Sequence, residues 1–176
     1  MIEIEKRALF TEGEYMRVLG ILQKDAEDLG EDDKDVLYYI YEDKLMKLVN
    51  NLSKRTAKLS LKMNKLGDGS ATREIEIPFD PHHFADVEHV LESIATPKQV
   101  IHGLQKRHNF SYKGCEIAMK WSKDYGYHCE IEKMTDDEGS VALLEKEIDA
   151  VAQSLGVIPM TDEEIQALQR KIESGV

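Results

Sequence analysis

Charged residues recur at every second position in several strand-like segments of this chain, and that spacing limits the folds open to it. Side chains on a strand alternate between faces, so residues two apart share a face about 6.5 Å apart. In residues 2–9, Glu3, Glu5 and Arg7 point one way and Ile2, Ile4 and Lys6 the other. Lys58, Ser60 and Lys62 oppose Leu59, Leu61 and Met63, and Glu74 and Glu76 oppose Ile75 and Ile77. Gln105, Arg107, Asn109 and Ser111 oppose His108, Phe110 and Tyr112, and Glu130 and Glu132 oppose Cys129 and Ile131. Two arrangements satisfy such a pattern. An open antiparallel sheet leaves its polar face in water. A closed or nearly closed tunnel turns that face inward, where opposite charges must partner each other, a metal or a ligand.

The rest of the chain supplies what such a sheet packs against. Thr11 and Glu14 form a capping box before a stripe of Tyr15, Val18, Leu19, Leu22, Ala26 and Leu29, which predicts a helix. Asp32 to Asp35 read as a solvated acidic turn, residues 36–41 as a strand and residues 43–53 as an ambiguous segment, a short helix by preference. Residues 57–64 and 72–78, joined by Gly67-Asp68-Gly69, predict a hairpin. Asp80-Pro81 opens a second helix with Phe84, Val87, Leu91 and Ile94 buried. Strands follow over 100–112, 114–122 and 127–134, then two helices, one carrying Leu143, Leu144, Ile148, Val151 and Leu155, the other Ile165, Leu168 and Ile172. The predicted order is β-α-β-β-β-α-β-β-β-α-α, an α+β chain of 176 residues forming one domain over 1–176.

Net charge is −11, which argues against nonspecific binding to nucleic acid or an anionic membrane. No stretch is long and apolar enough for a bilayer span, so the expectation is a cytoplasmic protein with no membrane partner. Cys115 and Cys129 have no metal-ligand spacing and read as buried free thiols. A polyanionic small molecule is compatible with the acidic chain only through local cations or bound metal. Paired carboxylates on one strand face suit Mg²⁺ or Mn²⁺, hard cations that prefer oxygen ligands and keep waters for phosphate. Lys and Arg across the tunnel would neutralise the remaining phosphate charge.

Glu3-Ile4-Glu5-Lys6-Arg7 resembles the N-terminal E-x-E-x-K signature of the CYTH superfamily, and residues 125–132 resemble its late glycine turn and E-I-E strand. Lys58 to Lys62 resembles the family's basic strand and Arg73-Glu74-Ile75-Glu76 the strand after it, in the family's order and with its two C-terminal helices. The resemblance implies an antiparallel eight-stranded β-barrel, or tunnel, with flanking helices. It implies metal binding by Glu3, Glu5 and Glu130, helped by Glu132, and phosphate binding by Arg7, Lys58, Lys62 and Arg107. A homodimer is an expectation at the family level. Two positions depart from the pattern: Gln105 stands where a tunnel cation is usual, and Lys120, a further candidate phosphate ligand, where an acidic residue is common.

Three functions compete on this basis. The first is divalent-metal-dependent hydrolysis of an inorganic or organic triphosphate. The second is a class IV-type adenylyl cyclase making cyclic AMP from ATP, for which no base pocket is evident in the sequence. The third is a noncatalytic polyphosphate- or nucleotide-binding module, motivated by Gln105 and Lys120. Other features read as ordinary: His82-His83 as an exposed first turn, the remaining histidines as strand residues, and Trp121, Tyr38, Tyr39 and Tyr41 as core or tunnel rim. Gly67-Asp68-Gly69 lacks the spacing of a phosphate loop, and residues 135–139 that of a calcium loop.

Overall fold

A computed structural model describes residues 1–63 and 69–174. The strands are β1 (Ile2–Phe10), β2 (Glu27–Glu31), β3 (Lys34–Ile40), β4 (Leu45–Asn51), β5 (Thr56–Lys62), β6 (Ala71–Phe79), β7 (Gln99–Tyr112), β8 (Cys115–Ser122) and β9 (Gly126–Thr135). The helices are α1 (Glu12–Asp25), α2 (Phe84–Ile94), α3 (Val141–Ser154) and α4 (Asp162–Ser174). Every strand pairing is antiparallel. The order β7-β3-β4-β5-β6-β1-β9-β8 returns to β7 through the β7–β8 ladder, so eight strands close into a barrel and β2 is the ninth strand. Closure removes the sheet edges that would otherwise invite pairing with other chains.

The alternation read from the sequence decides which face turns in. Outward-facing Ile2, Ile4 and Ala8 of β1 join Phe110, Ile117, Met119, Cys129 and Ile131 in the main core. Val18 and Leu22 of α1 and Ile148, Val151, Ala152 and Leu155 of α3 cover that face. A smaller core forms where Leu91 of α2 meets Tyr39 and Leu48. The polar faces are left to the barrel interior. The tunnel, not the open wetted sheet, is the arrangement the charges adopt.

Caps place the helices as expected. Thr11 accepts from the Glu14 N–H while the Glu14 carboxylate accepts from Thr11, completing the predicted box. Asp80 accepts from the His82 N–H (3.0 Å), with Pro81 following, but one 3₁₀ turn precedes α2.

Three expectations are corrected. The helical stripe does not reach Leu29, because α1 stops at Asp25 and the chain turns extended at Ala26 to form β2. Residues 43–53 hold a strand, β4, and no helix. Its Leu45 and Val49 face the cavity while Leu48 packs outward, so both faces are apolar and the alternation is masked. The acidic run at residues 32–35 is no solvated turn. β2 and β3 lie one after the other along the same edge of β7, and Asp32 sits at the break between them, 4% exposed. The predicted hairpin pairs as β5 and β6. Of its turn, Gly67 and Asp68 lie outside the described residues.

This division between faces predicts unequal mutational costs. Ile4→Ala, at a fully buried core position, should destabilise the protein by about 2–5 kcal/mol in urea unfolding. Ile77→Ala, on an outer face and 56% exposed, should stay within about 0.5 kcal/mol of the parent.

Candidate active site in the barrel

The barrel encloses a cavity of about 790 Å³. Its described lining holds eight of the 23 Lys and Arg residues and nine of the 34 Asp and Glu residues. The chain is strongly acidic as a whole, yet this interior is close to electroneutral.

Register places the carboxylates. Glu5 lies opposite Glu132 on the β1–β9 ladder, and Glu132 lies opposite Glu116 on the β8–β9 ladder. Three glutamates therefore stand in one row across adjacent strands, an arrangement that is unfavourable without an intervening cation. Oxygens of Glu3, Glu5 and Glu132 come within 4.8 Å of one another. Lys62 donates to Glu3 and, at 3.3 Å, to Glu5. Arg107 reaches Glu116 at 3.2 Å and Glu132 at 3.4 Å.

Burial raises the Glu132 carboxyl to about 7; Arg107 opposes the shift, and Glu130, Glu5 and Glu3 add to it. Glu3 is also raised, by burial and by Glu5, against the pull of Lys62. Burial works to raise Glu5 as well, but Arg7 and Lys62 hold it below the usual carboxylate range, so the shortfall of positive charge falls on Glu3 and Glu132.

Glu130 has a different environment one rung away, opposite Arg7 on β1. Lys120 donates to it, and Arg7 Nε lies 3.0 Å away and 2.5 Å from Glu5. Burial works to raise Glu130, but Lys120, Arg7 and Arg107 together hold it well below the usual carboxylate range. Burial lowers the Lys120 amine to about 8, with Glu130 pulling the other way.

Of the nine residues singled out in the sequence, all line this cavity: Glu3, Glu5, Glu130 and Glu132, and Arg7, Lys58, Lys62, Arg107 and Lys120. The geometry joins Glu3, Glu5 and Glu132 in one oxygen cluster and leaves Glu130 in ion pairs. Lys58 pairs with Glu76, and both are about a third or more exposed, which places them at a rim. Gln105 donates to the Tyr38 hydroxyl.

Several lining residues were missed. Lys47 on β4 lies 3.4 Å from Glu74 and was hidden with its strand. Lys34 and Asp32 were hidden by the turn assignment. Asp32 accepts from Asn51 (2.6 Å) and Asn109 (3.3 Å) and pairs with Lys34 (2.8 Å), Lys54 (3.1 Å) and Arg107 (3.2 Å). Burial opposes its ionisation, but Lys34 and the other donors keep it charged to strongly acid pH. Extending the alternation of β3 back by one residue pair would have found Lys34. From α4, Gln169 and Ile172 also line the cavity.

Two consequences are measurable. Glu130→Gln leaves Lys120 buried without its anion and should cost about 3–5 kcal/mol in urea unfolding. Glu76→Gln, whose side chain is 44% exposed, should cost under about 1 kcal/mol. The second consequence is a compensated pH response. Burial, with Lys120 adding to it, lowers His128 from 6.5 to about 4, so its contribution is present above 6.5 and is lost as pH falls towards 4. Glu132, raised from 4.5 to about 7, contributes stability that is present below 4.5 and is lost as pH rises through 7. Between pH 6.5 and 5 each amounts to roughly 1–2 kcal/mol, with opposite sign. In metal-free buffer, Glu132→Gln should therefore lose roughly 1–2 kcal/mol more than the parent on acidification over that interval, and His128→Asn should gain about as much.

No family model and no curated protein matches the sequence. Solved structures do match. A protein of Pyrococcus furiosus is 17% identical over 93% of this chain and 99% of its own, with a TM-score of 0.71. A proposed adenylate cyclase from Vibrio parahaemolyticus is 16% identical over 93% of this chain and 92% of its own, with a TM-score of 0.69. HpAC1 from Hippeastrum, described as having a dominant triphosphatase activity, is 16% identical over 90% of this chain and 89% of its own, with a TM-score of 0.61. The chain thus has the fold of these proteins, an α+β barrel of antiparallel strands with flanking helices.

Proposed function

We propose that the protein is an enzyme that hydrolyses a triphosphate with the aid of a divalent metal. One observation carries the reading: three carboxylates with oxygens within 4.8 Å of one another share an enclosed cavity with eight Lys and Arg side chains. The near-neutral lining offers a polyanion little net attraction, so added cations are needed for it to bind tightly. Glu3, Glu5 and Glu132 are the fitting ligand set for Mg²⁺ or Mn²⁺, being clustered oxygen donors of which Glu3 and Glu132 are left undercompensated. Bound there, the ion would supply positive charge to offset the charge that develops on the phosphates.

The chain's own groups do the rest. Lys62 and Arg107, already aligned on the acidic row, exchange a carboxylate for a phosphate oxygen without moving far. Arg107 offers a planar fork, and Lys62, Lys58, Lys47 and Lys34 offer point charges around the wall. Lys120 and Arg7 keep Glu130 ionised and fixed, so the cavity floor is preorganised. The likeness to HpAC1 supports hydrolysis. The likeness to the Vibrio protein supports a second reading, cyclisation of ATP.

The products separate these readings. With Mg²⁺ or Mn²⁺, tripolyphosphate or ATP should yield orthophosphate, and a chelator should abolish the reaction. Pyrophosphate with cyclic AMP would instead establish the cyclase, and tight binding with no turnover a noncatalytic module. Glu5→Gln should lower metal-dependent turnover at least 100-fold; unchanged turnover removes Glu5 from the site. Without substrate, the metal at 100 times its Kd should stabilise the parent by about 2.7 kcal/mol. For a chain of this size that is a rise of about 5–10 °C in Tm. Glu132→Gln should lose most of the rise.

A further inference from the structure

The cavity wall is not charged all round. In the closed ring of eight strands, β3 lies directly across from β1, and β4 across from β9. The acidic row therefore faces a wall to which β3 gives Val36 and Ile40, β4 gives Leu45 and Val49, and β7 gives Ile101, an apolar patch broken by Lys47 between Leu45 and Val49 and bounded by Lys34 at the start of β3. Tyr38 stands in the same wall with its ring over Gly103, where a Cβ would lie 3.2 Å from the Tyr38 ring. The Gln105 amide fixes the Tyr38 hydroxyl. Side chains at inward positions of the other strands are charged or polar nearly throughout, and Lys or Arg at these positions would serve a bare phosphate chain better. Inorganic tripolyphosphate has no apolar surface to place there. The cavity volume of about 790 Å³ lies within the roughly 300–1,000 Å³ common for sites that hold small organic ligands.

We infer that the wall of Val36, Ile40, Leu45, Val49 and Ile101, with Tyr38, holds the ring-bearing, apolar part of an organic triphosphate. The phosphates then lie against β1 and β9. Gln105 is accordingly a positioning residue that sets the Tyr38 ring, and its lack of charge suits that task. Aromatic contact and exclusion of water supply the preference for an organic group. The inference rests on the triphosphate reading and goes further in naming the class of substrate.

Calorimetric titration of the magnesium-loaded protein with ATP, thiamine triphosphate and tripolyphosphate tests it. The tighter of the two organic probes should bind at least tenfold more tightly than tripolyphosphate. Tyr38→Leu should reduce that ratio at least fivefold. Ile101→Ser, which leaves the Gln105–Tyr38 bond in place, should do the same and covers the case in which the first variant folds poorly. If tripolyphosphate binds as tightly as both organic probes, or if the ratio is unmoved in folded variants, the wall has no part in recognition and the triphosphate reading stands alone. If none of the three binds, the triphosphate reading fails and this inference with it.

Discussion

Charges sealed inside a closed barrel must compensate one another, because water is scarce there and each uncompensated ion is costly. That constraint governs the molecule. Once the apolar faces of β1, β7, β8 and β9 are committed to α1 and α3, the alternate residues have nowhere to go but inward. Lys62 with Glu3 and Glu5, Lys120 with Glu130, and Arg107 with Asp32 and Glu132 are the result. Compensation is least complete at Glu3 and at Glu132, the second of which stands in a row with Glu5 and Glu116. At about 5 Å and an effective dielectric near 20, two like charges repel by roughly 3 kcal/mol. On the proposed reading, a bound cation relieves that repulsion.

The contrast between Glu130 and Glu132 shows how environment assigns roles to chemically identical groups. They lie two residues apart on β9 with side chains on the same face. One is surrounded by three cations and is held ionised; the other shares Arg107 with its neighbours and is raised to about 7. The first serves to order the floor of the cavity. The second is the one that the proposed metal would relieve.

How much of this could be read from the chain depends on how local each cause is. The period of two in residues 2–9 and 129–132 is a local property, and it placed Glu3, Glu5, Arg7, Glu130 and Glu132 on inward faces. β4 escaped because an apolar inner wall and an apolar outer contact cancel the alternation. Asp32 escaped because its causes are remote: its amide donors lie 19 and 77 residues away in sequence. Locally, Glu31-Asp32-Asp33-Lys34-Asp35 has the composition of a solvated turn. Gln105 and Lys120, departures from the family's pattern, acquire meaning only from their partners Tyr38 and Glu130.

A crystal grown with Mn²⁺ and examined by anomalous scattering at the manganese edge decides whether the barrel holds the metal. A peak is expected inside the barrel, within coordination distance of Glu3, Glu5 and Glu132. Manganese bound only on the outer surface, or an interior in which Lys and Arg have closed over those three carboxylates, would contradict it.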